Sequence, residues 1–502
     1  MRNGEWDFEE SDRMTILGFE DVKVVFRDLG EITMYFSAAF LLPIIVSIIY
    51  LEGITELNYF LVPAILTFVF GILLNRLFKT NKETKKTHAF SMVVIAWFIL
   101  PLLGAVPYMM HGVTPSNAYF DSVSAFTTTG STPLRGETAA FPNSLMFWRS
   151  TQAWIGGAGI IMLALIGIFT YIKSYKLYKA EGREERLRPS IMGTAKRIWW
   201  VYILLTIIGV ILLLFSGLTI FQSVNYSMSA ISTNGMEMIW GELATMNNIR
   251  VEISLAIIMV LGSFSFYIHY QFLKKKWKAY LGDVQVRLTL ILILLGAFMM
   301  LPQFMSIYGL EGIRHSFFHT TSALTAGGFQ TLSGVGWSET VKMTLGLLMI
   351  IGGSAGSTAG GLKIIRFWIF LKSIYWKIKE YALPDRAYFS RKIEGEEATN
   401  KQLSTTYIFI LLYILFVVLG AFVITYSEPQ VPLGDSLFVT SSSQGNSGLM
   451  IGVVNPGMAK ITKGVLIFNM IVGRIEIIPI LHAIGFLLKY KKTPSLKTTR
   501  RI

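Results

Sequence analysis

The fold of this 502-residue chain is decided by the stretch FDSVSAFTTTGS at residues 120–131. It opens with an aromatic residue, continues through small and hydroxyl-bearing residues, and reaches a glycine at Gly130. The stretch is too short to cross about 30 Å of hydrocarbon, yet apolar segments of spanning length precede and follow it. This arrangement is typical of a short helix that enters a membrane and returns to the same side.

The same order of residues recurs three more times, at intervals of roughly a hundred residues. Each copy follows a spanning segment, runs through small and polar residues to a glycine, and precedes a second spanning segment. The copies are SAISTNG at 229–235, SALTAGG at 322–328 and SSSQGNSG at 441–448. One such stretch could be an ordinary extracellular loop, but four at equivalent places predict tandem repeats around a shared axis.

Composition and charge place the chain in a membrane. Hydrophobic residues make up 53% of the sequence and charged residues 15%, and the apolar residues fall in runs long enough to span a bilayer. The net charge of +14 does not indicate nucleic-acid binding, because most Lys and Arg lie in alternate inter-helix segments, which is the positive-inside pattern. We therefore predict a multi-pass protein of the plasma membrane with both termini in the cytoplasm. The chain has no cysteine, which excludes disulfides and thiolate metal sites.

The predicted fold is all-α and integral to the membrane, with four pseudo-symmetric helix–pore loop–helix repeats around a central pore and an N-terminal helical hairpin. The first thirty residues are polar, mixed in charge and without a cleavable signal peptide, which predicts a cytoplasmic segment. The predicted boundaries are 1–30 for that segment, 31–78 for the hairpin, 88–172, 196–273, 284–380 and 404–488 for the four repeats, and 489–502 for a cytoplasmic tail.

The end of each short stretch has the composition of a cation-binding site. Non-helical backbone at membrane depth is stable only when it is buried in protein or faces water, and four such segments on one axis can replace the water around a cation with carbonyl oxygens. Glycine permits the positive φ angles that such backbone requires, and the absence of charge favours a monovalent ion. The predicted ion-binding residues are Thr127, Thr128, Thr129, Gly130, Ser232, Thr233, Asn234, Gly235, Thr325, Ala326, Gly327, Gly328, Gly445, Asn446, Ser447 and Gly448.

The second spanning segment of the third repeat is interrupted by GGSAGSTAGG at 352–361. Each glycine costs about 1 kcal/mol in a helix interior, so this run predicts an unwound loop beneath the ion-binding residues. Tight helix packing through small residues is the alternative. A phosphate-binding loop is excluded because its Gly-Lys-Ser/Thr ending is absent.

Arg474 lies in the middle of the last apolar segment, where an isolated arginine is costly and must face the pore or a partner. We predict that it lies beneath the ion-binding residues as an electrostatic barrier and contacts the glycine-rich loop. The alternative is a structural ion pair, for example with Glu476 of a neighbouring helix.

Four motifs together resemble the Trk/Ktr/HKT superfamily of potassium transporters. They are the stretches 120–131, 324–329, 352–361 and 473–476, and the leading hairpin at 31–78 is similar to the extra helix pair of the TrkH branch. The resemblance implies potassium uptake through a filter centred on Gly130, Gly235, Gly328 and Gly448. A serine at the first of these positions accompanies sodium transport in plant-type relatives, so glycine at all four favours potassium. Asn234 and Gly327 depart from the usual pattern.

The resemblance also implies a gate and two kinds of partner. The gate would comprise the intramembrane loop residues Gly352, Gly353, Gly356, Gly360 and Gly361, with Arg474. The partners would be a second copy of the chain and a cytosolic TrkA-like subunit of the RCK/KTN fold that binds NAD(H) or ATP/ADP. The basic inner segments Lys173–Arg197 and Lys363–Lys401 are candidates for docking that subunit or anionic lipid.

Other readings of the sequence rank lower. His315 and His319 share a helix face but have no third ligand nearby, which favours packing over a metal site. We read Asp121 and Asp435 as caps at the starts of short helices. A sodium- or proton-coupled secondary transporter is the alternative function, although the repeats begin on the same side and carry few midplane carboxylates. No constellation for catalysis is found, and we predict neither an enzyme nor a bound cofactor beyond the transported K+.

Overall fold

The computed structural model describes residues 18–159, 191–384, 390–393, 396–477, 479–481 and 483–485. The predicted tail at 489–502, the first repeat beyond residue 159 and most of the basic segment Lys173–Arg197 lie outside these residues. The regular secondary structure of the described residues is helical, apart from one antiparallel pairing of Lys392–Ile393 with Glu396–Glu397. The predicted all-α membrane fold is confirmed.

Six helices among the described residues are long and apolar enough to cross a membrane, and two bent helix pairs would raise the number to eight. The first such segment, Phe19–Ile49, begins earlier than the predicted start near residue 31. The charges that make its beginning polar in sequence are paired inside the protein. Asp21 Oδ1 lies 2.8 Å from His88 Nε2, and Asp28 Oδ2 accepts a 2.5 Å hydrogen bond from Thr84 Oγ1.

The N-terminal hairpin packs against the first repeat through aromatic side chains. Its segments are Phe19–Phe36, a 3-10 turn at Ser37–Phe40, Leu41–Ile49 and Ile54–Leu77. Phe40 stacks on the buried ring of Trp148, with centroids 4.5 Å apart, and Phe36 and Phe60 also lie against that ring. The hairpin thereby fixes the helix that carries Trp148, one residue before a buried arginine discussed below.

Each of the four repeats has a first long helix, a short re-entrant helix and a second helix. The first helices are Lys86–Gly104 (continued by Val106–Met110), Ile191–Phe215, Val284–Tyr308 and Asn400–Ser427. The short ones, which we call re-entrant helices 1 to 4, are Pro115–Phe126, Ile220–Ile231, Glu311–Leu324 and Leu433–Gln444. The second helices are Asn143–Ala158, Ile249–Ser263, Glu339–Ile351 and Lys460–Ile475. Further helical segments among the described residues include Thr138–Ala140, Glu242–Met246, Phe266–Leu273, Trp277–Gly282 and Ile364–Ala382.

All four second helices stop early, whereas the sequence predicted a break only in the third repeat. The helix of the first repeat ends before Gly159, and that of the third before Gly352, with φ of 60° and 71°. In the second repeat the chain turns by 100° after Ser263. In the fourth, Glu476 ends the helix with φ of 69°. Positive φ stops an α-helix for any residue type, and glutamate gave no sequence signal of it.

Candidate functional site

A four-residue segment follows each re-entrant helix, and the four share one backbone conformation. We call them axial segments 1 to 4; they are residues 127–130, 232–235, 325–328 and 445–448. The second residue of each has φ between 50° and 56°, and the closing glycine has φ between 72° and 85°. The first and third residues are not in the positive-φ region. Alternation of left-handed and right-handed φ turns successive carbonyl groups toward the same side of the chain.

The amide groups of the axial segments are used by the helices that precede them. The N–H of the third residue donates to the carbonyl five residues earlier, a helix-ending pattern with a left-handed residue just past the last turn. These bonds join Thr129 to Ser124 (2.8 Å), Asn234 to Ser229 (2.9 Å), Gly327 to Ser322 (2.7 Å) and Ser447 to Ser442 (2.9 Å). The carbonyl groups of the axial segments take no part in these bonds and face the opposite side of the chain.

The axial segments form a closed ring. A Cβ atom built on each closing glycine would collide with the carbonyl oxygen of the third residue of the next segment, and the fourth segment returns to the first. These distances are 1.8 Å from Gly130 to Asn234, 2.2 Å from Gly235 to Gly327, 2.3 Å from Gly328 to Ser447 and 1.9 Å from Gly448 to Thr129. The contacts bring the sequence-predicted residues together around one axis with fourfold pseudo-symmetry.

Among the described residues, the carbonyl oxygens of this ring accept almost no hydrogen bonds. All residues of the four segments are buried. Within the described residues, only Ser232 O accepts a hydrogen bond, from Thr233 Oγ1 at 2.7 Å. Buried carbonyl groups normally have a partner, and the negative ends of four re-entrant helices point at the same place. The arrangement can therefore coordinate a dehydrated cation.

Asn234 and Gly327 differ from the usual family pattern, and the contacts around each of them account for the residue found there. Asn234 accepts a 2.9 Å hydrogen bond from Met236 N and donates through Nδ2 to Ser124 O at 3.3 Å, which connects neighbouring repeats. A Cβ at Gly327 would lie 2.1 Å from the sulfur of Met259. The side chain of Met259 thus explains the glycine at this position.

A cavity of about 300 Å³ lies at one end of the ring and is partly lined by three of its closing glycines. The residue two positions after each closing glycine also lines it; these are Thr132, Glu237, Gln330 and Met450. Gln330 links the third and fourth repeats here, because its side-chain amide donates to Met450 O at 3.1 Å and accepts from Met450 N at 2.9 Å. Burial raises the pKa of Glu237 to about 8, although the Gly241 amide opposes this shift by donating to its carboxyl group.

The glycine-rich loop lies at the other end of the ring. Residues 352–363 are not helical, and positive φ at Gly352, Gly356 and Gly361 shapes the loop. Thr358 Oγ1 lies 2.9 Å from Ile231 O and 2.8 Å from Gly262 O, so the loop is attached to the second repeat. A Cβ at Gly360 would lie 2.3 Å from Gly445 O. The loop thus contacts the first residue of axial segment 4.

Arg474 donates to backbone carbonyls from two repeats. Its Nη1 bonds to Thr358 O at 2.6 Å, and its Nη2 to Gly156 O at 2.6 Å and Gly157 O at 3.1 Å. Glu476 is not its partner, because that carboxylate pairs with Arg366 at 2.6 Å. Arg474 therefore contacts the glycine-rich loop, and Arg366–Glu476 is a separate ion pair at the start of the helix that follows the loop.

The reading of Asp121 as a helix cap is wrong. Its helix begins at Pro115, so Asp121 lies in the middle of re-entrant helix 1, fully buried and paired with Arg149 at 3.0 Å. Asp435 does lie in the first turn of its helix, where it contacts Lys342.

The two histidines of re-entrant helix 3 make hydrogen bonds within the protein. His315 Nδ1 lies 2.9 Å from Thr331 Oγ1, and His319 Nδ1 lies 2.9 Å from His315 O. In the part of the chain that the structure describes, no group of three or more His, Cys, Asp or Glu could hold a metal ion. These contacts engage Nδ1 of each histidine, while His319 Nε2 is buried without a hydrogen-bond partner among the described residues.

Apolar helices surrounding four converging re-entrant segments define a multi-pass membrane transport protein. The chain belongs to the TrkH family of cation transport proteins, whose family model matches residues 58–493. The resemblance to the TrkH branch of the Trk/Ktr/HKT superfamily is thereby confirmed.

Relatives match over nearly the whole chain. An uncharacterized cation transporter of Methanocaldococcus jannaschii is 36% identical over 92% of this chain and 95% of its own length. The Trk system potassium uptake protein TrkH of Salmonella typhimurium is 29% identical over 91% of this chain and 97% of its own. The crystal structure of the potassium transporter TrkH from Vibrio parahaemolyticus has the same fold, with a TM-score of 0.81, 24% identity, and coverage of 92% of this chain and 98% of that one.

Proposed function

We propose that this chain mediates potassium uptake across the plasma membrane through a selectivity filter made of the carbonyl oxygens of the four axial segments. The observation that carries the proposal is the closed ring of buried carbonyl groups, of which only Ser232 O accepts a hydrogen bond among the described residues. Carbonyl dipoles replace the hydration shell of a monovalent cation without the desolvation cost of a carboxylate ring. The potassium uptake named for the Salmonella relative supports the choice of ion.

The glycine-rich loop 352–361 and Arg474 are proposed to form the gate beneath this filter. The loop contacts axial segment 4 through Gly360, and the guanidinium of Arg474 holds the loop through Thr358 O. A positive charge near the permeation route opposes the entry of cations, and the backbone of the loop must move for ions to pass. Withdrawal of the loop would clear its backbone from the route and break the contact between Arg474 and Thr358 O.

Partners and topology are proposed on the resemblance and the charge pattern. The chain would form a homodimer with both termini in the cytoplasm, and the domain boundaries would be those predicted above. A TrkA-like subunit would dock on the inner basic segment that includes Lys363–Lys401. Helix Ile364–Ala382 begins at the end of the glycine-rich loop, so it is placed to transmit docking to the gate.

Ion flux in proteoliposomes tests the proposed function. The purified chain should carry K+ and Rb+ down their gradients and exclude Na+, with no other solute added. Uptake that requires an opposing or parallel Na+ or proton gradient would instead support the coupled secondary transporter. Equal K+ and Na+ flux would contradict the carbonyl filter.

Replacement of Thr358 by valine is expected to raise K+ flux about threefold. Valine keeps the shape of the side chain but removes the hydroxyl that lies against Ile231 O and Gly262 O, a contact of ordinary hydrogen-bond strength. The loop should then leave the second repeat more often. The measurement is Rb+ flux per mole of protein. The control is Thr340→Val, because Thr340 is exposed in the first turn of helix Glu339–Ile351, at the end opposite the loop. Unchanged flux in Thr358→Val would contradict the role of this hydroxyl.

A further inference from the structure

A buried ion pair lies directly behind the filter in the first repeat. Arg149 is 2% exposed and Asp121 is 0% exposed. Arg149 Nε donates to Asp121 Oδ2 at 3.0 Å, and Nη2 lies 3.4 Å from Oδ1. Both charges are removed from water, so each depends on the other and on the geometry of the contact.

The pair connects the outer ends of two axial segments. Asp121 Oδ1 accepts a 2.5 Å hydrogen bond from Thr132 Oγ1, two residues beyond Gly130. Arg149 Nη1 donates to Glu237 O at 2.8 Å and to Met238 O at 3.3 Å, just beyond Gly235. Repeats 1 and 2 are therefore joined at the outer end of the filter through one guanidinium and one carboxylate.

This charged connection is specific to the first repeat. Asp121 lies nine residues before its closing glycine, and the corresponding residues of the other repeats are Tyr226, His319 and Val439. Tyr226 donates to Glu242 at 2.7 Å and His319 bonds to its own helix. The first repeat thus carries an Arg–Asp pair at a place where the other three carry a neutral tyrosine, a buried histidine and an apolar valine.

We propose that Arg149 and Asp121 are positioning residues for ion selectivity, which hold axial segments 1 and 2 at the spacing that favours K+ over Na+. The inference rests on the proposed filter. A guanidinium is planar and offers five donors in a fixed arrangement, so it can serve Asp121 and two carbonyls of the neighbouring repeat together. A lysine keeps the charge but has a single ammonium group, and it would release at least one of these contacts.

The test compares the K+/Na+ flux ratio of Arg149→Lys and Thr132→Val with that of the unaltered chain in proteoliposomes. The ratio should fall about tenfold in Arg149→Lys, since discrimination between similar substrates depends on the geometry of the site. It should fall about threefold in Thr132→Val, which removes one hydrogen bond to Asp121. Arg314→Lys is the matched control, because Arg314 pairs with Glu252 at 3.1 Å between repeats 2 and 3, and its contacts among the described residues do not include the outer end of the filter. Its ratio should stay within about twofold.

The outcomes separate this inference from the proposed function. If Gly130→Ser lowers the ratio while Arg149→Lys and Thr132→Val leave it unchanged, the positioning role is overturned and the filter stands. If Gly130→Ser also leaves it unchanged, the filter itself is wrong. If Arg149→Lys fails to fold, as judged by size exclusion and thermal unfolding, the K+/Na+ flux ratio of Thr132→Val alone tests the positioning role. A ratio that falls equally in Arg314→Lys would show a general loss of stability and overturn the proposal.

Discussion

Replacement of Gly130 by serine is expected to reduce K+ uptake by about a hundredfold, the scale of losing a preorganised electrostatic contact. Gly130 has φ of 85°, and a Cβ there would lie 1.8 Å from Asn234 O. The new side chain must displace a carbonyl of the neighbouring axial segment. The K+/Na+ ratio of the remaining flux should therefore also fall. The measurement is Rb+ and Na+ flux into proteoliposomes containing equal amounts of folded protein.

Gly136→Ser is the matched control for this experiment. Gly136 has a similar φ of 79°, but a Cβ there would have no atom within 4 Å. The backbone strain is therefore comparable, while the collision with a filter carbonyl is absent. If both variants lose K+ uptake equally, the loss reflects backbone strain, and the role given to the ring of carbonyls is contradicted.

Replacement of Arg474 by alanine is expected to raise K+ flux at least about tenfold without any regulatory subunit. The variant loses the hydrogen bonds to Thr358 O, Gly156 O and Gly157 O, and bonds from a charged donor are about twice as strong as neutral ones. It also removes a positive charge beside the proposed route. Patch recordings of fused proteoliposomes would measure the open probability and the current together.

Arg474→Lys separates the two effects of this arginine. Lysine retains the charge but not the planar donor group, so a barrier that is purely electrostatic predicts nearly unaltered flux. If the loop is held by hydrogen bonds, the flux of Arg474→Lys should lie between that of the unaltered chain and that of Arg474→Ala. Unchanged flux and gating in Arg474→Ala would remove Arg474 from the gate.

The repeats could be recognised from sequence because small residues, hydroxyl groups and glycine are all that four closely approaching segments tolerate. In the fourth repeat the alignment rested on a diverged echo, and the structure gives Asn446 and Gly448 the same positive φ as their counterparts. The glycine-rich loop was recognisable for a related reason, since consecutive glycines do not continue a helix. Both signals are local properties of the chain.

The contacts that sequence reasoning missed depend on the distant parts of the chain. Asp121 resembled a cap because the sequence pattern placed the start of its helix later than Pro115, where the helix begins. Nothing nearby in the sequence indicates Arg149 as the partner of Asp121. Arg149 did carry a signal, since a charged residue amid apolar helix residues is costly unless paired. The break at Glu476 had no local signal, because its ion pair is with Arg366, more than a hundred residues earlier.

The most direct test of the central claim is the location of Rb+ by anomalous scattering in crystals of the protein grown in rubidium salt. The account predicts peaks on the axis of the ring, coordinated by carbonyl oxygens from all four axial segments, including those of Thr129, Asn234, Gly327 and Ser447. Peaks confined to side chains elsewhere, with none on the axis, would contradict it.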